Sequence, residues 1–240
     1  MLNVVIPIAG SSEEIIKDGH LYPKPIIEIK GKPMIEWVTE PLNTISIPFK
    51  LIFLIKDEDA SKFHLDNILK ILHPKCDVIK LKNETKGGLC SVLMAIDFIN
   101  ESDPVLILNS DQILNIDFQE VLNYWEHNQV EAGVVTFPSI HPKLSYILIR
   151  HDKIIQTAEK NPISNMAIAG YYYFNNASFF FNSAFNTIIN DDHLSGSFYI
   201  STVLNNYILN NRKVSFWEIS KNEYISLYSS KLISEFEKNI

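Results

Sequence analysis

Residues Val4 to Trp37 read VVIPIAGSSEEIIKDGHLYPKPIIEIKGKPMIEW. The run Val4, Val5, Ile6 and Ile8 has the continuous apolar character of a buried strand, and it breaks at Ala9-Gly10-Ser11-Ser12. A strand that ends in a small-residue turn presents bare backbone N–H groups, which suit a phosphate. Beyond a polar loop, Tyr22-Pro23-Lys24-Pro25 holds a lysine between two prolines and so adds a fixed positive charge beside that turn. Gly31-Lys32-Pro33-Met34-Ile35 follows, with Pro33 placed as the first residue of a helix carrying Ile35, Trp37 and Val38.

Outward from this stretch, short apolar runs alternate with amphipathic ones. Lys50 to Ile55, Asp77 to Leu81 and Pro104 to Leu108 read as strands. Between them lie helices over 33–45, one capped near Asp59 with Phe63, Ile68, Leu69 and Leu72 on a face, and one opened by Gly87 and Gly88 that carries Leu89 through Ile99. Strands separated by helices of this length imply parallel pairing, with ligands at the carboxyl ends of the strands. Ser11, Gly87 and Asp111 all fall at such ends, which argues for one shared site. From Asn115 the pattern changes to a helix over Phe118, Val121, Leu122 and Trp125 and then strands at 132–137, 146–150, 153–157 and 168–174. Arg150-His151-Asp152-Lys153 reads as a hairpin turn, so antiparallel pairing enters here. Helices near 177–189 and 198–210, a strand at 214–219 and a terminal helix to Lys238 complete an α/β chain with a mixed, mainly parallel, Rossmann-like sheet flanked by helices. Residues 1–240 are expected to form one domain.

The bulk properties exclude several classes. A formal charge of −7 argues against a nucleic-acid binder, which needs clustered Lys and Arg. Cys76 and Cys90 are the only cysteines and read as free thiols, which favours a cytoplasmic protein. No apolar run approaches the length of a membrane span. The seven histidines form no metal-like pair. Asp111, directly after the most strand-like run, stands where α/β enzymes place a metal ligand, and a lone carboxylate there suits Mg²⁺ shared with substrate phosphates. Asn109-Ser110-Asp111 is also ordinary turn chemistry.

Taken together, these motifs resemble the sugar-phosphate nucleotidyltransferases, also called nucleotide-sugar pyrophosphorylases, whose fold is of the glycosyltransferase-A-like nucleotidyltransferase type. The resemblance implies transfer of a nucleotidyl group from a nucleoside triphosphate to a sugar 1-phosphate or similar phosphomonoester, with Mg²⁺ as cofactor, in pathways such as polysaccharide assembly. Lys24 and Asp111 would carry the chemistry, with Asp111 as metal ligand. Ala9, Gly10, Ser11, Ser12, Asn83, Gly87 and Gly88 would bind the nucleotide, the segment Asn83 to Leu89 matching the family's base-recognition loop. Glu159 and Lys160, followed by the Gly170-Tyr171-Tyr172-Tyr173-Phe174 strand, match a Glu-Lys pair and a Gly-x-Tyr-x-Phe strand. Glu159, Lys160, Gly170 and Tyr171 would then bind the sugar and its phosphate.

The sequence also departs from the family. Gly10-Ser11-Ser12-Glu13-Glu14 stands where relatives carry an anion-binding arginine, and Ser197 stands where an acid is usual. Tyr224-Ile225-Ser226-Leu227-Tyr228-Ser229 falls where many relatives read Trp-x-Asp-x-Gly-Thr, so Ser226 replaces a second metal aspartate. Two other readings therefore stand beside the transferase: a binding relative without turnover, and a glycosyltransferase of similar fold, for which Asn109-Ser110-Asp111-Gln112 supplies only one aspartate.

Overall fold

The computed structural model describes residues 1–10 and 13–239, with the side chains of Glu13 and Glu14 outside the description. Among them the strands are, in chain order, β1 (Leu2–Pro7), β2 (Glu28–Ile29), β3 (Lys32–Pro33), β4 (Phe49–Lys56), β5 (Asp77–Leu81), β6 (Val105–Leu108), β7 (Gln112–Leu114), β8 (Ala132–Pro138), β9 (Ser145–Arg150), β10 (Lys153–Glu159), β11 (Met166–Phe174), β12 (Val214–Glu218) and β13 (Tyr224–Ser226). The main sheet runs β10-β9-β11-β6-β1-β4-β5, with β8 joining β11 and β12 joining β8. Strands β6, β1, β4 and β5 are parallel, whereas β11 is antiparallel to β6 and β8.

Residues of β1 alternate between the two faces. Val4 and Ile6 pack with Met34, Ile35, Val38, Phe53 and Trp125, while Val5 packs with Leu89, Val92, Phe180 and Val203 on the other side. Both faces are covered, so a parallel strand is apolar at every position and reads as an unbroken run. β1 lies between β4 and β6, where the strand order reverses, and this opens a crevice outside their carboxyl ends. The turns after β1 and after β6 flank it.

Several expected helices are shorter than their apolar patterns. Pro33 is not the first helical residue: it is extended, pairs with Glu28, and caps a helix of Met34–Thr39. Pro41 then tightens the chain into a 3-10 turn over Glu40–Thr44. The second helix is two, Asp57–Phe63 and Leu65–Leu72, because His64 takes a left-handed conformation with φ of 56°. The helix at Gly88 ends at Leu93 and resumes only as a 3-10 turn over Ile96–Phe98. The hairpin at residues 150–153 is present, with positive φ at both His151 and Asp152, as a two-residue loop between twisted strands requires. The pairing of β7 with β13 has no signal in the sequence, since each strand is three residues long. No helix of the described residues is long and apolar enough to cross a membrane.

Candidate active site

Lys24 begins a 3-10 turn, Lys24–Ile26, between Pro23 at the cap and Pro25 within the turn. The two rings fix the backbone on either side, so the side chain leaves in one direction. Its ammonium donates to Asp111 Oδ2 at 3.1 Å and lies 4.7 Å from the centre of the Tyr228 ring. The two side chains are 14% and 26% exposed, which leaves the pair half-sheltered and open to a ligand. Asp111 itself sits on a clamped backbone. The Asn109 N–H donates to Gly170 O at 2.9 Å, the Leu227 N–H donates to Asp111 O at 2.8 Å, and Gln112 Nε2 donates to Ala169 O. Gly170 has φ of 65°, and a Cβ there would overlap the side chains of Asn109 and Gln112. Its role is thus to let β11 approach the turn after β6.

Glu159 ends β10 and Lys160 follows with φ of 50°. The Lys160 N–H donates to Leu144 O at 3.0 Å, and its ammonium donates to the Tyr199 hydroxyl at 2.6 Å. Burial acts to lower the Lys160 pKa, but the hydrogen bond it donates to Tyr199 and the charges of the neighbouring Tyr199, Glu159 and Tyr228 outweigh it and hold the ammonium above its ordinary range. Glu159 Oε2 accepts from Ser145 Oγ at 2.5 Å and Ser201 Oγ at 2.7 Å, so its position is fixed by two hydroxyls from two elements. Tyr228 links these groups. Lys24 lies over its ring, Lys143 lies 4.8 Å from the ring centre, and Lys160 feels its phenol.

The loop of Asn83 to Gly88 is joined to this cluster through Phe198. The Phe198 N–H donates to Lys86 O at 2.8 Å, and the Leu89 N–H donates to Phe198 O at 3.2 Å. Gly87 has φ of 99°, and a Cβ would overlap the Phe198 backbone. The glycine is therefore required by chain packing, whatever lies on the loop's other side. Asn83 and Glu84 are exposed, Glu84 within 3.3 Å of Lys56 Nζ. Gly88 opens the helix Gly88–Leu93. Ala9 is half-buried and Gly10 exposed at the end of β1, while Ser11 and Ser12 lie outside the described residues.

The side chain of Tyr171 is fully buried, packed edge-on against Phe118 and beside Trp125, so it fills the core. Strand alternation explains this: successive side chains along β11 point to opposite faces. Burial also holds its phenol well above the ordinary range.

Residues 19–217 match the model of the family described as Nucleotidyl transferase. The chain belongs to the nucleotidyl transferase family. The matched span contains Lys24, Asp111, Glu159 and Lys160 and stops short of Tyr224. The chain is 28% identical over 182 residues to the "Bifunctional protein GlmU" of Methanocaldococcus jannaschii, covering 74% of this chain and 41% of that protein. It is 25% identical over 178 residues to a "Putative mannose-1-phosphate guanyltransferase" of Sulfolobus acidocaldarius, covering 72% and 48% respectively. It thus spans less than half the length of these curated relatives. Its fold is similar to that of the nucleoside-diphosphate-sugar pyrophosphorylase from Vibrio cholerae RC9, with a TM-score of 0.86 at 21% identity over 98% of this chain and 99% of that one.

Ser226 pairs with Gln112, next in the chain to Asp111, across β7 and β13, and carries a hydroxyl where the resemblance implied an acid. Among the described residues no group of three or more His, Cys, Asp or Glu comes together. Asp111 accepts from Lys24 through Oδ2 and is 26% exposed. A single, partly exposed carboxylate fits a magnesium ion that keeps most of its waters. Half-buried Tyr224 stands close by, its phenol held above the usual range by burial and by the charge of Asp111. Lys143 was not identified by sequence reasoning, because a lone lysine after a proline carries no pattern of its own.

Proposed function

We propose that this chain transfers a nucleotidyl group from a nucleoside triphosphate to a sugar 1-phosphate or similar phosphomonoester. An oxygen of the acceptor phosphate attacks the α-phosphorus and forms the new P–O bond. The bond from the α-phosphorus to the bridging oxygen breaks, and its electron pair leaves with pyrophosphate. Two anions must meet for this, so the protein's work is neutralisation and in-line positioning.

The observation that carries the reading is the Lys24–Asp111 contact of 3.1 Å, which joins the proline-bounded lysine to the turn after β6. In this reading Lys24 holds the triphosphate oxygens, and Lys160 takes the acceptor phosphate. Glu159, aimed by Ser145 and Ser201, accepts from sugar hydroxyls. The loop of Asn83 to Gly88 lies against the base, and the turn of Ala9 to Ser12 offers its N–H groups to phosphate. Asp111 would hold a magnesium ion, which would supply further neutralisation of the phosphate charge. The name of the Sulfolobus acidocaldarius relative supports a sugar 1-phosphate as acceptor.

Pyrophosphate release from a panel of the common triphosphates and sugar 1-phosphates, with magnesium, tests the proposal. At least one pair is expected to turn over, and Asp111→Asn is expected to abolish it. Nucleotide binding with no turnover across the panel overturns it in favour of a binding protein. Sugar transfer from a nucleotide-sugar overturns it in favour of a glycosyltransferase.

A further inference from the structure

The hydroxyl of Tyr199 is what holds Lys160. The ammonium lies 2.6 Å from that oxygen and 4.7 Å from the centre of the same ring, so the oxygen and not the π face binds it. A phenol oxygen that accepts from an ammonium still carries a proton of its own. Among the described residues no acceptor takes that proton, and the Lys160 ammonium meets no acceptor besides Tyr199. The neighbouring Glu159 is engaged by Ser145 and Ser201 instead. Tyr199 is half-buried and Lys160 exposed, so the pair is open on one side. Its stem is fixed: Tyr199 stands between buried Phe198 and buried Ile200, the Phe198 backbone is bonded to Lys86 and Leu89, and the Tyr199 carbonyl accepts from Thr202 Oγ1 at 2.8 Å.

We propose that the Tyr199 hydroxyl is a phosphate-binding group that donates to the acceptor phosphate while it accepts from Lys160, so that phenol and ammonium together grip two oxygens of one phosphate. This rests on the nucleotidyl transfer reading and deepens it. Two donors this close suit bidentate contact with a phosphate. A hydroxyl that accepts a charge-assisted hydrogen bond is polarised into a stronger donor. A neutral phenol also holds the ammonium without cancelling its charge, as a carboxylate partner would, and so keeps its attraction for an incoming anion. The hydroxyl serves the acceptor and not the donor because it is tied to Lys160, whereas Lys24 is tied to Asp111.

The test is titration of the protein with glucose 1-phosphate and mannose 1-phosphate and, separately, with inorganic tripolyphosphate, followed by phosphorus NMR without magnesium and without turnover. Tyr199→Phe removes the hydroxyl and keeps the ring, and an unchanged melting temperature checks that the fold is retained. It is expected to weaken binding of the sugar phosphates about ten-fold, the usual size for loss of a hydrogen bond to a charged group, and to leave tripolyphosphate binding unchanged. In a Lys160→Met background the same change is expected to weaken sugar phosphate binding further, because the hydroxyl touches the phosphate itself. No further loss in that background would make Tyr199 a support for the lysine alone and overturns the inference. Normal sugar phosphate binding by Tyr199→Phe beside impaired binding by Lys160→Met also overturns it, and leaves the transfer reading standing. So does an equal loss of tripolyphosphate binding. If the unsubstituted protein binds none of these anions, both fall.

Discussion

The ammonium of Lys24 donates to the carboxylate of Asp111 at 3.1 Å, across 87 positions of sequence. One residue is held by a proline-bounded turn and the other by backbone bonds to β11 and to Leu227, so neither side chain is free to relax away.

Removing either partner should cost stability, because it breaks a half-sheltered ion pair. Lys24→Met and Asp111→Asn are each expected to destabilise by about 1–2 kcal/mol, and the double variant by less than the sum. A urea-unfolding cycle checks this. Strict additivity would mean that the pair contributes nothing to the fold. Turnover should fall at least about 100-fold in Asp111→Asn.

Gly170→Ala tests whether the approach of β11 positions Asp111. With φ of 65° and the side chains of Asn109 and Gln112 in the way, the substitution should destabilise by about 2–3 kcal/mol. Turnover should drop as well, since the displaced segment carries the carboxylate. A stability equal to the parent's in denaturant would show that the turn gives way easily.

Glu159→Gln replaces a carboxylate oxygen that accepts from two serine hydroxyls. The amide oxygen can keep both serine hydroxyls, but the other oxygen becomes an NH₂ that cannot accept from the sugar and the charge is lost, so the acceptor KM should rise by about ten-fold. Tripolyphosphate binding should be unaffected. Steady-state kinetics with the acceptor varied separates this from a loss of kcat.

His73 gives the fold an acid-side dependence. Burial lowers its pKa, with Glu36 opposing more weakly, and its Nε2 lies 3.0 Å from Thr39 Oγ1. A histidine with a depressed folded pKa contributes stability above its unfolded value of about 6.5 and loses it as pH falls toward the folded value. Melting temperature should therefore decline below about pH 6.5, and His73→Gln should flatten the decline. Parallel profiles for the two proteins would discount the histidine.

The parallel strands were legible because burial on both faces leaves no polar position to interrupt them, as in Val4, Val5, Ile6 and Ile8 and in Val105 to Leu108. The hairpin at His151 and Asp152 was legible for a similarly local reason. Helix ends were not. The apolar spacing over 57–72 runs straight through His64, and only the left-handed backbone there divides it. Among the candidate residues, Lys24, Asp111, Glu159 and Lys160 were marked by their motifs, whereas Tyr171 carried the same marks and is core.

The sequence alone determined the alternation of strands and helices, the lysine between prolines and the carboxylate after the strand, because each depends on neighbours a few residues away. Only the tertiary structure decided that β1 lies between β4 and β6, that the short strand of Ser226 meets Gln112, and that Lys24, Lys143 and Lys160 gather at Tyr228. Those contacts join residues far apart in the chain, so they exist only once burying both faces of the sheet has fixed the order of its strands.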